Sequence, residues 1–219
     1  MEIIDMKQGH FYFISDEFFT RFDPNGLLMR NKEGNRSRPC YFVFPDKTEP
    51  EIFWCVPISS KVEKYEGIVQ KKLEKQERNG NDHPSCDTIR FGNVLGQKRA
   101  FLIQNIFPIS AQYIDATYID RNTQKPVTIS RKTERDIYLK AKKILRLVWR
   151  GYENLVFSDV LSIRAALIQE SQREIPFEKR IPMKDRFAMA KETAAQRDTE
   201  RAGSAPTPKP PKKDDPSLE

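Results

Sequence analysis

The chain has 219 residues, 38 Lys/Arg against 31 Asp/Glu for a net charge of +7, and 38% hydrophobic residues. That length allows one compact domain or at most two, and no apolar run approaches the ~20 residues of a membrane span, which excludes a helical membrane protein as the reading. The charge is uneven. Residues 1–150 hold 26 Lys/Arg against 19 Asp/Glu, and residues 151–219 hold 12 against 12, so the basicity belongs to the part with a periodic apolar pattern and a polyanion is the expected partner. Three cysteines, Cys40, Cys55 and Cys86, and an N-terminus Met1-Glu2-Ile3-Ile4-Asp5 without a basic leader fit a reducing cytoplasm, with the thiols as small apolar fillers.

In chain order, Phe11–Ser15, Tyr41–Phe44 and Ile52–Val56 read as strands, the last being apolar, β-branched and aromatic between Pro50 and Pro57, which is expected to close it. The stretch from Asn25-Gly26 through Arg36-Ser37-Arg38-Pro39 is turn and loop chemistry. Val62, Tyr65, Val69 and Leu73 recur at helical spacing, which predicts a helix from Lys61 to about Arg78, stopped by Asn79-Gly80-Asn81-Asp82. Asp87–Phe91 and Ala100–Asn105 read as a strand pair joined by a loop over Gly92–Arg99, and helices follow at 133–150 and 158–170. The sum is an α+β domain over residues 1–170. Residues 171–219 read as a weakly structured or disordered tail, since Gly203 to Lys213 has no large apolar side chain.

Two features carry chemistry. The first is Pro57-Ile58-Ser59-Ser60-Lys61, where a buried strand meets the start of a helix. Ser60 with Glu63 fits a capping box, so one reading is simply a well-made helix start. The other uses the same place as an anion site, because a helix N-terminus offers unpaired N–H groups and Lys61 adds a full charge there. The second feature is a run of ten basic residues between Arg121 and Arg150 against only Glu134 and Asp136. Ile137, Ala141, Ile144, Leu145 and Val148 form one stripe of this helix, and Lys143, Arg146 and Arg150 align on another side. Such a face is either solvated or a nucleic-acid contact, and the single-sign clustering favours the contact. His83-Pro84-Ser85-Cys86 beside Asp82 lacks the partners of a closed zinc site, so no metal or cofactor is expected. His10 and His83 as an acid–base pair are a rival assignment for catalysis.

His10-Phe11-Tyr12-Phe13-Ile14-Ser15, the Pro57–Lys61 segment and Phe101-Leu102-Ile103-Gln104-Asn105-Ile106-Phe107-Pro108-Ile109, in that order, resemble the ToxN/AbiQ/CptN/TenpN group, the endoribonuclease toxins of type III toxin–antitoxin systems. The resemblance covers about residues 8–170. It implies a compact SH3-like barrel related to the Kid/MazF/CcdB toxins, with inserted and C-terminal helices. It also implies RNA cleavage by 2′-OH attack, leaving a 2′,3′-cyclic phosphate and a 5′-OH without a metal ion. Ser59 and Ser60 then stand at the family's hydroxyl pair and Lys61 at its lysine. The partners implied are cellular RNA as substrate and a small repeated, structured antitoxin RNA as inhibitor, in a possible RNA-bridged assembly. Arg36, Arg38, Lys64, Arg135, Lys142, Lys143, Arg146 and Arg150 are the expected RNA contacts. Two departures stand out: the family's hydroxyl pair and lysine are separated by a proline that is missing here, and the tyrosine after its first strand falls on Phe18. Two other functions stay open, a non-enzymatic RNA binder with Tyr12, Tyr41 or Tyr65 stacking on bases, and a toxin of the same fold that acts on a protein.

Overall fold

The computed structural model describes residues 5–23, 25–28 and 38–174. The elements are β1 (Phe11–Ile14), α1 (Asp16–Phe22), β2 (Pro39–Pro45), β3 (Ile52–Ser59), α2 (Val62–Arg78), β4 (Ile89–Val94), β5 (Gln97–Leu102), β6 (Phe107–Ser110), β7 (Ile114–Thr117), α3 (Arg131–Val148) and α4 (Val160–Glu174). The α+β class therefore holds, and the three long helices fall close to where the periodicity puts them. α1 was not foreseen. It starts because the Ser15 hydroxyl accepts the Phe18 N–H, with Asp16 and Glu17 in the first turn.

The antiparallel sheet runs β4-β5-β3-β2-β1-β7, with β6 also on β3. β3 is its branch point. One edge pairs with β2 from Pro45↔Phe53 to Cys40↔Pro57. The other edge pairs first with β6, from Ile52↔Ser110 to Cys55↔Phe107, and then with β5 through Ile58↔Phe101 and Ser59↔Ala100. Pro57 falls in the gap between those two pairings, so its missing N–H interrupts neither ladder and the strand expected to end there continues to Ser59. The SH3-like barrel is not closed: β4 and β7, the two ends of the path, each pair with one strand only among the described residues, and the second edge of β3 is divided between two neighbours instead of closing a ring.

Both faces of the sheet are covered, which is why its strands read as almost continuous apolar runs. On one face, Ile137, Ala141, Ile144, Leu145 and Val148 of α3 pack with Tyr41, Val43, Trp54, Val56 and Phe101. On the other, Phe18 and Phe19 of α1 and Ile163 and Leu167 of α4 pack with Cys40, Phe42, Cys55, Phe107 and Ile109. A register shift between Phe42 and Phe44 lets the successive Val43 and Phe44 both join the α3 side. α2 lies over the β4–β5 hairpin, with Tyr65 against Ile89, Ala100 and Leu102. The cysteines are free, and Cys40 and Cys55 are buried as fillers; burial pushes the Cys40 thiol up to about 12.

Three local contacts fix these layers. Asp46, buried beneath α4, accepts Arg164 Nε and Nη2 at 2.8 Å each and Trp54 Nε1 at 2.9 Å. Gly92 of β4 lets α3 approach, since a Cβ there would stand 2.6 Å from Thr133 Cγ2. The β4–β5 connection, expected to be a long loop, is a tight turn in which Leu95 and Gly96 have φ of 49° and 74°. Positive φ at both central positions matches the strand twist of a hairpin, and leucine is an unusual occupant of that conformation.

The helix expected at 158–170 runs to Glu174, and the remainder of the expected tail lies outside the described residues. No described helix is long and apolar enough to cross a membrane.

Candidate active site

The end of β3 delivers Ser59, Ser60 and Lys61 to the start of α2. Ser59 is 8% exposed, and its Oγ accepts the Lys61 N–H at 3.2 Å. The Val62 N–H donates to the Ser60 carbonyl at 2.9 Å. Lys61 is the N-cap residue, and among the described residues no side chain caps the helix. The capping box expected of Ser60 and Glu63 is therefore not made. The reason lies one residue upstream: the Ser59 hydroxyl closes the turn instead, which leaves the Ser60 side chain exposed and the first N–H groups of α2 without a side-chain acceptor.

These residues open into a pocket of about 480 Å³, lined by Arg38, Pro39, Ile58, Ser59, Ser60, Lys61, Lys64, Tyr65, Val94, Leu95, Gln97, Arg99 and Tyr118. Among the described residues, four cations and two serine hydroxyls line it, with no carboxylate and no imidazole. The field is of one sign, and the N-terminal dipole of α2 adds to it. Lys64 lies over the Tyr65 ring at 5.8 Å, and Arg99 donates to Gln97. Between the cations the wall is apolar and aromatic, from Ile58, Tyr65, Val94, Leu95 and Tyr118. A phosphate held by the cations would thus have flat surfaces beside it on which a base can rest.

The fold brings together six of the residues singled out in the sequence, Ser59, Ser60, Lys61, Lys64, Tyr65 and Arg38. Arg36 lies outside the described residues. Arg99, Gln97, Leu95 and Tyr118 were missed. Arg99 lies on the β5 side of the hairpin opposite Gly92, and only the antiparallel pairing of Ala100 with Ser59 points it at the serines.

The remaining expected contacts sit elsewhere, on α3. Lys143 is ion-paired with Asp87, which also takes Lys140 at 2.9 Å, and Asp136 is held by Arg90 at 2.8 Å. The basic face is thus partly offset by an acid from a distant segment. Lys142 lies 4.4 Å from the Tyr138 ring centroid and donates to its hydroxyl. Arg135, Arg146 and Arg150 are exposed, and their side chains form no ion pair among the described residues. His10 and His83 do not line the pocket, which removes geometric support from their pairing as acid and base there. Phe18 is fully buried against Phe107 and Tyr113, so the position without a hydroxyl belongs to the core. Tyr12 and Tyr41 are each 1% exposed, too buried to stack on a base, whereas Tyr65 borders the pocket.

No family model and no curated protein matches the chain. Among solved structures, that of AbiQ, a lactococcal anti-phage endoribonuclease belonging to the type III toxin–antitoxin system, matches with a TM-score of 0.56 at 14% identity, over 76% of this chain and 99% of AbiQ. Nearly the whole of AbiQ thus has a counterpart here, and the chain has the AbiQ fold, as the resemblance of its His10–Ser15, Pro57–Lys61 and Phe101–Ile109 segments implied.

Proposed function

We propose that the chain is a metal-independent, sequence-selective endoribonuclease toxin of a type III toxin–antitoxin system, with its active site at Ser59, Ser60 and Lys61. The observation that carries this reading is the pocket itself: two hydroxyls and four cations, with no carboxylate among the described residues, at the end of a strand in the AbiQ fold. Carboxylate-free cationic surroundings suit a phosphodiester and the extra charge that develops on it during displacement.

The 2′-oxygen of the RNA loses its proton and attacks the adjacent phosphorus. The P–O5′ bond breaks, and the departing O5′ takes a proton, giving a 2′,3′-cyclic phosphate and a 5′-OH. Lys61, at the mouth of α2, stabilises the phosphorane and is placed to exchange a proton with the reacting oxygens. Ser60 donates to a non-bridging oxygen or holds the 2′-oxygen, and the buried Ser59 fixes the Lys61 backbone. Arg38, Lys64 and Arg99 hold flanking phosphates, and Tyr65, Tyr118 and Leu95 contact bases. The inhibitor is a small repeated antitoxin RNA, which the toxin cuts from its precursor in the cytoplasm and then retains in an RNA-bridged assembly. Arg36 together with Arg135, Lys142, Lys143, Arg146 and Arg150 supplies the outer contacts. Residues 1–170 carry the activity.

The test is cleavage of total cellular RNA by the purified full chain in EDTA, beside Lys61→Ala, with chemical mapping of the new ends. Cyclic-phosphate ends are expected, with the rate reduced about 10²-fold or more in the variant. Folded protein that cuts no RNA, or a Lys61→Ala variant that cuts normally, overturns the reading.

A further inference from the structure

The last turn of α3 ends in a surface that the pocket does not use. Gly151, at φ +92°, donates its N–H to the Val148 carbonyl at 2.9 Å, and the Tyr152 N–H reaches back to the Leu147 carbonyl at 3.1 Å. This pair of bonds is the Schellman closure, which turns the chain back on the helix end and sets Tyr152 beside the final turn. Such a closure usually tucks the residue after the glycine against the helix. Here Tyr152 stays 61% exposed, and Trp149, within the same turn, is 50% exposed.

Trp149 is nevertheless held. Its ring meets Trp54 at a centroid distance of 5.9 Å and an interplanar angle of 77°, and Trp54 is 1% exposed. The indole is thus fixed on the core side and open on the other, so little rotamer entropy remains to be lost when a ligand stacks on it. Arg146 is three residues before Trp149 and four before Arg150, so it neighbours both the ring and the second arginine on the surface at the helix end. Neither guanidinium makes an ion pair among the described residues.

We infer that Arg146, Trp149, Arg150 and Tyr152 form a second RNA site, apart from the cleavage pocket, which takes unpaired nucleotides by stacking bases on the indole and phenol rings with the arginines on the flanking phosphates. The inference rests on the reading that the chain handles RNA. Charge complementarity chooses RNA over a protein partner: the unpaired arginines continue a row of exposed cations along α3 through Arg135 and Lys142, and such a row attracts phosphate and repels a basic copy of itself. The exposed rings choose single strands, because bases in a duplex have no free face to offer.

The chain has two tryptophans, and Trp54 is buried, so quenching by a base stacked from solution reports on Trp149. A short 2′-O-methyl oligouridylate, which cannot be cleaved by 2′-OH attack, is titrated into the full chain, with fluorescence and anisotropy read together. Saturable quenching with a parallel rise in the anisotropy of end-labelled oligonucleotide is expected, both retained in Lys61→Ala; Trp149→Ala, which removes the reporter, is read by the anisotropy alone and should lose most of it. An Arg146→Ala/Arg150→Ala variant, changed only at exposed positions, should bind about tenfold more weakly. Binding without quenching, quenching that needs Lys61, or equal quenching by a duplex overturns the inference. Cleavage of cellular RNA by the same preparation keeps its fate separate from that of the nuclease reading. Cleavage without quenching sinks the second site alone, and quenching without cleavage sinks the nuclease alone. Failure of the oligonucleotide to bind, with self-association that the double arginine variant abolishes, would assign the patch to protein.

Discussion

The Ser59 Oγ lies 3.2 Å from the Lys61 amide nitrogen and accepts its hydrogen. Of the two serines that line the pocket, Ser59 therefore also shapes the backbone, while Ser60 is left exposed there. Ser60→Ala is expected to lower the single-turnover rate of RNA cleavage about 10²-fold with the melting temperature unchanged, as for loss of one donor to a charged transition state. Ser59→Ala leaves the Lys61 N–H without its acceptor and should cost about 1 kcal/mol of stability, with Ser59→Thr restoring both stability and rate. Equal effects of the two alanine substitutions on rate and stability would contradict this division of labour.

Gly92 sets how closely α3 approaches the sheet. In Gly92→Ala the new methyl meets Thr133 Cγ2 at 2.6 Å and Phe101 Cε2 at 3.1 Å, and the expected loss is about 1–3 kcal/mol in urea denaturation. Thr133→Ser removes Cγ2 and keeps the hydroxyl that contacts Ser130, so the double variant should recover much of that loss.

Asp46 makes stability sensitive to acid. Its burial alone would raise the carboxyl pKa, but the hydrogen bonds from Arg164, Thr48 and Trp54 and the Arg164 charge outweigh it and hold the group well below the usual carboxylate range. A depressed value stabilises the fold above the unfolded pKa of about 4, and this contribution fades as pH falls towards the folded value. Arg164→Met strands a nearly buried carboxylate and should cost about 3 kcal/mol at neutral pH. The gap from the parent should narrow below about pH 4, where Asp46 can protonate in the variant. Denaturant titrations at pH 7 and pH 3 check the sign.

Leu95 holds φ at +49° in the hairpin turn, is 47% exposed and borders the pocket. Leu95→Asn should raise stability by about 1 kcal/mol, because asparagine tolerates this conformation. The same change removes an apolar wall of the pocket, so KM for RNA should rise. A denaturation midpoint and a KM that both increase would show that the leucine serves binding rather than folding.

The parts of the fold with sustained periodicity were legible in the sequence: the apolar stripe of α3 from Ile137 to Val148 and that of α2 around Tyr65 fall where the spacing puts them. The misreadings have local causes. Pro57 looked like a stop because a strand with one pair of neighbours cannot lose an N–H cheaply, yet β3 changes neighbour at that residue. Gly92 looked like loop chemistry because a glycine needed for helix approach is indistinguishable, in one dimension, from a glycine needed for a turn. Short β6 and β7 carry too few residues to show alternation. At the site, Ser59 to Lys64 are contiguous and could be found together. Arg99 and Tyr118 reach the pocket through strand pairings that only the folded chain supplies, and Asp87 neutralises Lys143 from 56 residues away.

Because β3 is bonded to β2 as far as Pro57 along one edge and to β6 and then β5 along the other, the strand that delivers the serines is held on both edges over most of its length. The serine pair is carried on a spine rather than on a flap. On the proposed reading, an RNA entering the pocket bends its own backbone to bring 2′-oxygen, phosphorus and leaving oxygen into line, so sequences that unstack easily are expected to be cut first, which makes the nucleic acid's stiffness a selector alongside any base it presents.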